Sequence, residues 1–440
     1  MNEEELIVSR KQGITRRGFI EKAAAVAAAL AAPRIVPSSV FGANAPSNRI
    51  TMGFVGLGRG HGFVLHYMKR PDVRILAVCD VAKGKADGRR DEVNAEYKSK
   101  DCTAYYDFRE VVARDDIDTV LVYTPTHWHA LIAVAALEAG KDVFCEKPLA
   151  YTIREGRAIC DAVRRKNRVF LAGTQYRTYP DWQGGVEVVR NGLVGKLQKV
   201  LVTGGRGLYP TVDHTFPASQ PVPPDLDYGL WLGPAPEVPY FGQTAMVTWM
   251  ACADYATGWL AEFAIHGMDN ALWGYDPTWE GIIEIQGKGT YYKDPRLNTP
   301  MTFETEIRFP DGVALIFGDN LGPQGCRGFT TFFGTDGWAG MGKSPDSSSA
   351  GLFRPSSAQW RAEQQLSGRD FIDCVRSRRT TYATAEECHR ATSLVILSDI
   401  AMRLGRKLRW DMAREQFIGD EAANRMLSRP MRSPWRLAGA

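Results

Sequence analysis

The segment from Asn48 to Asp80 restricts the possible folds more than any other part of the sequence. It contains an apolar run, a glycine-rich turn over residues 56–62, a helical stretch and a second apolar run that ends at an acidic residue. Gly56 would allow a tight turn, and Gly58 would let a phosphate group approach the main chain. The order of strand, glycine turn, helix, strand and acid is typical of a parallel α/β sheet that binds a dinucleotide.

Asp80 follows the second predicted strand. A carboxylate at this position would accept a hydrogen bond from the ribose 2′-OH of NAD and would repel the 2′-phosphate of NADP, so we expect NAD. The strict glycine pattern would place its third glycine at position 61, which is His61, so the register of the turn stays open. The expected cofactor contacts in this turn are Gly56, Gly58, Arg59, Gly60 and His61.

A lysine stands beside a proline directly after another predicted buried strand, Asp142–Cys145. Pro148 fixes its own φ and restricts the residue before it, so the ammonium of Lys147 would be held in one direction. The carboxyl ends of parallel strands are where open α/β sheets bind ligands. Glu146 and Lys147 are therefore candidates for a ligand site. The alternative is a surface turn with a solvated lysine.

Four polar or aromatic residues recur at helical spacing further along the chain. Glu262, His266, Asp269 and Trp273 are separated by four, three and four positions, so we expect them to share one face of a single helix. A polar stripe beside an aromatic ring suits a sugar, whose hydroxyl groups need directed partners and whose C–H face needs a flat surface. The alternative is a Glu–His pair on a solvated helix surface.

These segments resemble the glucose-fructose oxidoreductase and inositol dehydrogenase family (Gfo/Idh/MocA). The resemblance covers residues 49–411, and its most specific motifs are Gly56-Leu-Gly-Arg-Gly60, Tyr123-Thr-Pro-Thr-His-Trp-His129, Ala139-Gly-Lys-Asp-Val-Phe-Cys-Glu-Lys-Pro-Leu149, Gly173-Thr-Gln-Tyr-Arg177 and Gly258-Trp-Leu-Ala-Glu-Phe-Ala-Ile-His266. It implies catalytic roles for Lys147, His266 and Glu262, although the family has aspartate at the position of Glu262. It also implies cofactor contacts at Thr124, Pro125, His129, Glu146, Lys147 and Gln175, and substrate contacts at Tyr176, Arg177, Asp269 and Trp259.

The resemblance implies an NAD(P)-dependent oxidoreductase that acts on a hydroxyl group of a sugar or glycoside. Loss of hydride from a carbinol carbon requires loss of the hydroxyl proton, so a positioned base is needed. The hypothesis is that Lys147 hydrogen-bonds the reacting oxygen, His266 relays the proton, and Glu262 or Asp269 orients the imidazole. The family also includes NAD-dependent glycosidases, which oxidise the sugar transiently and eliminate the aglycone. The residues alone leave both reactions open.

The first 45 residues have the pattern of a twin-arginine export signal. Arg16 and Arg17 precede an apolar run over 23–32, and small residues at 43–45 suit cleavage. That run is too short to cross about 30 Å of hydrocarbon, so we expect no resident membrane span. Export to the periplasm by the twin-arginine translocase would separate the enzyme from any soluble NAD pool. The cofactor would then be tightly bound and the reaction redox-neutral, or a partner protein would accept the electrons.

Length and strand patterns predict two domains. Alternating strands and helices over 48–173 predict a doubly wound parallel sheet of the Rossmann type. Period-two patterns over 174–411 predict an α+β domain with a large open, mostly antiparallel sheet. We expect the helical stretch 368–404 to return to the first domain and residues 412–440 to form a C-terminal tail. An open sheet face mediates dimerisation in the family, so we expect a homodimer or homotetramer.

Two further segments interrupt the strand pattern. Residues 210–240 are rich in proline and aromatic residues and are expected to form an ordered loop over the cleft. Residues 342–357 are rich in serine and glycine and are expected to be mobile. Selectivity for a particular sugar would depend on the first of these segments.

Neither nucleic acid nor metal is indicated as a partner. The net charge is +4, and the six basic and four acidic residues within 1–45 contribute +2 of it. The eight cysteines form no C-x-x-C pair, and Cys79 and Cys145 fall in predicted buried strands. His127 and His129 could begin a zinc site, but no nearby cysteine or second carboxylate completes four ligands, so we expect no metal. A hydrolase with an incidental nucleotide domain and a non-catalytic sugar-binding protein remain as alternatives.

Overall fold

The computed structural model describes residues 48–204, 217–292, 294–319, 321, 330–341, 361–362, 366 and 368–437. Residues from Ile50 onward form one compact unit, to which all of the architecture below belongs. The predicted export signal over 1–45 and the predicted mobile segment 342–357 lie outside the described residues. The same holds for residues 210–216 of the predicted loop over the cleft.

A six-stranded parallel sheet forms the first half of this unit. Its strands are β1 (Ile50–Val55), β2 (Val73–Cys79), β3 (Thr103–Tyr105), β4 (Thr119–Val122), β5 (Asp142–Cys145) and β6 (Phe170–Ala172). Their order is β3-β2-β1-β4-β5-β6, and all neighbours pair in parallel. The direction of strand addition reverses between β1 and β4, where open α/β sheets form a ligand crevice.

Helices on both faces of this sheet connect its strands. They are α1 (His61–Tyr67), α2 (Lys83–Tyr97), α3 (Phe108–Val112), α4 (His129–Glu138) and α5 (Ile153–Lys166). Every residue of β4 and β5 is buried, because both faces of a doubly wound sheet are covered. Helix α5 begins at Thr152, whose hydroxyl oxygen accepts the N–H of Glu155, and ends at Asn167 in the left-handed conformation.

An eight-stranded mixed sheet forms the second half. Its strands are β7 (Leu197–Thr203), β8 (Ile282–Tyr291), β9 (Pro300–Arg308), β10 (Ala314–Gly318), β11 (Thr330–Gly334), β12 (Trp338–Met341), β13 (Leu408–Asp411) and β14 (Gln416–Phe417). Their order is β12-β11-β7-β10-β9-β8-β13-β14. Strands β7 and β10 pair in parallel, and the other described neighbours pair antiparallel. The predicted fold class, a Rossmann sheet followed by a mostly antiparallel sheet, is confirmed.

One face of the second sheet carries the core, and the other is open. Phe303, Thr305 and Ile307 of β9 are buried at alternate positions, as a strand with one covered face requires. Ile282 and Met301 are exposed. The remaining helices are α6 (Pro180–Arg190), α7 (Tyr228–Leu232), α8 (Met246–Ala251), α9 (Trp259–Glu262), α10 (Ile265–Tyr275), α11 (Phe371–Ser377), α12 (Ala385–Leu404) and α13 (Glu421–Arg425).

Helices α10 and α12 cover the apolar face of the second sheet. Helix α12 is buried over most of its length and begins with a capping box formed by Thr384 and Glu387. Phe371 and Ile372 of α11 are buried in the core of the first sheet. Within the described part of the chain, no helix has the length and apolar character needed to cross a bilayer.

Candidate active site

The carboxyl ends of β1, β2, β4 and β5 open into a cavity of about 850 Å³. Its walls come from both halves of the molecule, because residues that follow β7 in the chain also line the cavity. The predicted site residues that line the cavity are Gly56, Gly58, Arg59, Asp80, Thr124, Pro125, His129, Glu146, Lys147, Gln175, Tyr176, Glu262 and His266. The fold therefore brings together residues from five separate motifs.

The glycine turn after β1 leaves room for a ligand above its main chain. Gly56 has a φ of +91°, and a Cβ there would lie 2.6 Å from the carbonyl of Tyr123, so only glycine fits. A Cβ on Gly58 would meet no described atom within 4 Å. The turn therefore fits the diphosphate of a dinucleotide, which needs close approach to the main chain.

Gly60 and His61, which were also predicted to contact the cofactor, are not among the residues that line the cavity. A Cβ on Gly60 would lie 2.5 Å from the carbonyl oxygen of Gly56, so this glycine closes the turn from behind. The Nε2 atom of His61 lies 3.6 Å from the carboxylate of Glu92 on α2. The side chain of His61 thus faces helix α2 and not the cavity.

Asp80 at the end of β2 lines the cavity with a carboxylate that the main chain holds in place. One oxygen accepts the N–H of Leu57 at 2.8 Å, and the other accepts the N–H of Ala82 at 2.9 Å. The first bond ties Asp80 to the glycine turn. The carboxylate is thereby fixed beside the turn that would carry the diphosphate, where an adenosine ribose would lie.

Lys147 extends from the end of β5 into the cavity. Its ammonium donates a hydrogen bond to the main-chain carbonyl of Glu262 and lies 5.7 Å from the centre of the Phe263 ring. The carboxylate of Glu146 is partly buried and accepts the Lys147 N–H at 3.2 Å. The Lys147–Pro148 peptide bond is cis.

His129 connects the loops that follow β4 and β5. Its Nδ1 lies 2.8 Å from the carbonyl oxygen of Pro148, and its Nε2 lies 2.9 Å from that of Thr124. Burial lowers the pKa of His129 to about 4, so the ring is neutral and carries one N–H. Only one of the two carbonyls can therefore receive a hydrogen bond from it at a time.

Glu262 and His266 do not lie on one continuous helix, so the predicted single helix is wrong. Helix α9 ends at Glu262, and α10 begins at Ile265. In a continuous helix the Glu262 carbonyl would accept the N–H of His266. It accepts the Lys147 ammonium instead, and the His266 N–H turns to the carbonyl of Phe263 at 3.4 Å.

The imidazole of His266 stacks on the ring of Tyr176, with centroids 4.0 Å apart and planes 15° apart. Its Nδ1 is buried and has no hydrogen-bond partner among the described residues. Burial, followed by the positive charges of Lys147 and Arg59, lowers the pKa of His266 well below its usual range. The imidazole is therefore uncharged at neutral pH.

The expectation that Glu262 or Asp269 orients His266 is wrong. The carboxyl of Glu262 accepts a hydrogen bond from the hydroxyl of Thr126 at 2.5 Å. Asp269 binds Arg177, so its oxygens are directed away from His266. Stacking on Tyr176, and not a carboxylate, holds the imidazole in position.

Burial raises the pKa of Glu262 to about 7, against the opposing effects of Lys147 and Thr126. The side chain is 2% exposed. A carboxyl group with this pKa is partly protonated at neutral pH, so it can either donate or accept a proton within the cavity.

Arg177 and Asp269 were predicted to bind substrate, but they form a buried ion pair with each other. Two hydrogen bonds of 2.8 and 2.7 Å join them, and their side chains are 3% and 1% exposed. Burial disfavours the charged guanidinium, but the carboxylates of Asp269 and Glu387 outweigh this effect and raise the pKa of Arg177. Each side chain compensates the charge of the other, because an unpaired charge of either sign could not remain buried.

Trp259 was also predicted to contact substrate, but it lies one layer behind the cavity. Its ring stacks on Phe263 at 3.8 Å, and Phe263 faces the cavity.

One wall of the cavity comes from the described part of the loop over the cleft and from α8. Leu226 pairs with Ala82 through an isolated antiparallel bridge, directly after Asp80. The residues that line the cavity from this wall are Pro223, Asp225, Leu226, Leu230, Trp231, Thr244, Ala245, Trp249 and Met250. The proline and aromatic content of residues 210–240 predicted a loop over the cleft, but this content does not predict the course of the chain.

The two histidines considered for zinc face main-chain carbonyls. The Nε2 of His127 lies 3.1 Å from the carbonyl oxygen of Trp231, and both ring nitrogens of His129 face carbonyl oxygens. Across the described residues, no cluster of three His, Cys, Asp or Glu side chains is placed to hold a metal ion. Cys79 and Cys145 are buried free thiols, as the strand pattern predicted.

Two family models match the chain. The oxidoreductase family model for the NAD-binding Rossmann fold (Gfo/Idh/MocA) matches residues 50–174. The model for the C-terminal alpha/beta domain of the same oxidoreductase family matches residues 165–320 and 355–437. Together they cover the whole first sheet and every strand of the second sheet except β11 and β12.

Curated relatives match over part of their length. The alpha-N-acetylgalactosaminidase of Shewanella oneidensis is 33% identical over 207 residues, which cover 42% of this chain and 44% of that protein. A glycosyl hydrolase family 109 protein of Shewanella pealeana is 32% identical over 196 residues, which cover 42% of each protein. The chain thus matches less than half the length of these relatives.

Solved structures share the fold at low identity. The aldose-aldose oxidoreductase from Caulobacter crescentus has a TM-score of 0.56 and 17% identity over 82% of this chain and 99% of its own. The WlbA dehydrogenase from Bordetella pertussis, in complex with NADH and UDP-GlcNAcA, has a TM-score of 0.59 and 15% identity over 82% of this chain and 97% of its own. The family models and the shared fold agree, and the chain belongs to the Gfo/Idh/MocA family of oxidoreductases.

Proposed function

We propose that the chain is an exported NAD-dependent oxidoreductase that acts on a hydroxyl group of a sugar or glycoside. One observation carries this proposal: Lys147 and His266 line the same cavity as the glycine turn at Gly56. Removal of a proton from a hydroxyl group needs a donor that binds the oxygen and an acceptor that takes the proton. An ammonium and a neutral imidazole provide these two functions.

NAD is the proposed cofactor. The turn at Gly56 and Gly58 would hold its diphosphate, and the carboxylate of Asp80 would bind the adenosine ribose. A bound nicotinamide would supply the acceptor and donor chemistry for hydride. The fixed negative charge of Asp80 supports NAD over NADP, because it would repel a 2′-phosphate.

Lys147 is proposed to bind the oxygen that loses its proton. An ammonium has three N–H donors, and the bond to the Glu262 carbonyl uses one of them. That bond fixes the direction of the other two. His266 is proposed to receive the proton, since its lowered pKa keeps it neutral while Tyr176 holds the ring in one plane.

A second candidate is a redox-neutral glycosidase, and Glu262 favours it. Cleavage of a glycoside by transient oxidation needs an acid that donates a proton to the leaving oxygen. A buried carboxyl whose pKa is raised to about 7 can hold that proton at neutral pH. The chain is similar to an alpha-N-acetylgalactosaminidase over 44% of that relative's length. This similarity supports the same candidate.

Aryl glycosides tested without an added electron acceptor distinguish the two reactions. A glycosidase would release free aglycone in many-fold excess over the enzyme, with no accumulation of keto sugar. An oxidoreductase would form at most one keto sugar per bound cofactor until an acceptor is supplied. If neither product appears with any of a panel of hexosides, both candidates are contradicted.

A tightly held cofactor and export are part of the proposal. The bridge between Leu226 and Ala82 holds a second chain segment against the cavity wall beside Asp80, which supports slow cofactor exchange. Arg16 and Arg17 support export through the twin-arginine translocase. Fractionation of cells that express the wild-type chain or Arg16→Lys/Arg17→Lys tests export, and retention of the wild type in the cytoplasm would contradict it.

A homodimer or homotetramer is proposed from the open face of the eight-stranded sheet. Ile282 is exposed on β8 beside the buried Ile283, so its side chain lies on the uncovered face of that sheet. Exposed apolar side chains on a sheet face favour association. Light scattering of the purified chain tests the proposal. A mass equal to that of the monomer would contradict it.

A further inference from the structure

The segment after α13 packs against the back of the candidate active site, although the sequence suggested only a tail. Arg429 lies at its centre. The guanidinium donates hydrogen bonds to the carboxylate of Glu155 at 2.7 Å, to the carbonyl of His127 at 2.8 Å and to the carbonyl of Asp254 at 3.4 Å. It also lies 4.2 Å from the centre of the Tyr151 ring.

Arg432 and Trp435 extend the same contact surface. Arg432 donates hydrogen bonds to the carbonyls of Gly233 at 3.0 Å and Gly229 at 2.7 Å. The ring of Trp435 packs edge-on against Trp128 with centroids 4.7 Å apart. The last described residues therefore contact both the cavity wall around α7 and the turn that precedes α4.

That turn, Pro125–Trp128, supplies two parts of the cavity. The hydroxyl of Thr126 binds the carboxyl of Glu262, and the side chain of Trp128 lines the cavity. The carbonyl of His127 lies between these two residues. A guanidinium that binds this carbonyl therefore fixes the turn at the point between its two functional side chains.

The other contacts of His127 are neutral. Its N–H binds the carbonyl of Tyr255, and its Nε2 binds the carbonyl of Trp231. Burial and then the charge of Arg429 lower the pKa of His127 to about 3, so the imidazole stays uncharged. Among the described contacts of His127, Arg429 provides the charge-assisted hydrogen bond, which is the stronger kind.

We propose that Arg429 is a positioning residue of the active site, which acts through the carbonyl of His127 on the hydrogen bond between Thr126 and Glu262. The proposal rests on the proposed function only for its effect on turnover. Its effect on the carboxyl of Glu262 is independent of the substrate and can be measured without one.

Arg429 also binds Glu155, and this second role can be separated from the first. Glu155→Gln keeps the guanidinium and its bond to His127 while it removes the buried carboxylate. Arg429→Met removes both contacts and keeps most of the apolar stem. If Arg429→Met fails to fold because Glu155 is left unpaired, Glu155→Gln/Arg429→Met removes that charge and serves in its place.

The first readout is the protonation of Glu262, followed as the carboxyl infrared band that is lost in Glu262→Gln. Thr126 lowers the pKa of Glu262, so loosening its hydrogen bond moves the titration midpoint to higher pH. We expect a shift of at least about half a pH unit in Arg429→Met, an intermediate shift in Arg429→Lys, and none in Glu155→Gln. Arg425→Met, at an exposed position of α13, is the matched control.

The second readout is turnover with the bound cofactor in place. We expect Arg429→Met to lose roughly 10- to 100-fold in kcat, since small displacements of catalytic groups have effects of this size. Glu155→Gln and Arg425→Met should stay within about threefold of wild type.

The infrared result decides the proposal. Equal midpoints in wild type and Arg429→Met, or equal shifts in Arg429→Met and Glu155→Gln, would overturn it. If the wild type turns over no glycoside, the proposed function fails, while the infrared titration still tests the role of Arg429.

Discussion

The ammonium of Lys147 donates a hydrogen bond to the main-chain carbonyl of Glu262, which lies 115 residues further along the chain. This bond takes the carbonyl that would otherwise continue the helix into His266. The interruption separates α9 from α10 and turns Phe263 toward the cavity. One contact between the two halves of the molecule thus lies at the point where Glu262, Phe263 and His266 meet the cavity.

Asp80→Asn should change cofactor preference. The substitution keeps the side-chain volume and removes the negative charge that would repel a 2′-phosphate. We expect the ratio of the Kd for NADP to the Kd for NAD to fall at least about tenfold, which corresponds to about 1.4 kcal/mol. Titration of cofactor-free protein with each dinucleotide measures the ratio. Asp91→Asn, on the exposed surface of α2, is the control, and an equal ratio in all three proteins would refute the assignment.

Glu262→Gln should change how stability depends on pH. The folded state holds the proton of Glu262 up to a pKa of about 7, above the ordinary value of 4.5, so the wild type loses stability as pH rises between these values. The variant has no such titration. Below pH 4.5 the difference between the two proteins should be constant, and by pH 7 it should move by about 3 kcal/mol in favour of the variant.

Urea unfolding of both proteins across this pH range measures the difference. Glu92→Gln, whose side chain is 43% exposed, is the control for a glutamate without burial. A difference that does not change with pH would mean that Glu262 titrates normally in the folded protein.

Arg177→Met should destabilise the fold rather than weaken substrate binding selectively. The substitution leaves Asp269 buried and unpaired, and such losses cost about 3–5 kcal/mol. Arg177→Met/Asp269→Leu should recover part of this loss, because no charge then remains buried. Denaturant unfolding measures both. Should Arg177→Met keep wild-type stability and raise KM alone, the original expectation of a substrate contact would be restored.

Local patterns were sufficient where neighbouring residues determine the structure. The apolar run before Gly56 and the run that ends at Asp80 predicted β1, β2 and the turn between them, since strand and turn preferences act over a few residues. The position of Lys147 after a buried strand was predicted for the same reason.

Patterns failed where the partner is distant in the sequence. The spacing of Glu262 and His266 fits one helix, and nothing nearby reveals that Lys147 takes the carbonyl between them. Arg177 and Asp269 are 92 residues apart, so their mutual pairing has no local signal. The contact of Arg429 with His127 spans 302 residues and was missed for the same reason.

Turnover of Lys147→Met with its dinucleotide bound tests the central claim most directly. The variant keeps the length of the side chain and removes the donor that is proposed to bind the reacting oxygen. We expect cofactor content to match that of wild type and kcat on the best glycoside or sugar to fall by about 10² to 10⁴, while exposed Lys69→Met stays unchanged. Near-wild-type turnover by Lys147→Met with a full complement of cofactor would contradict the account.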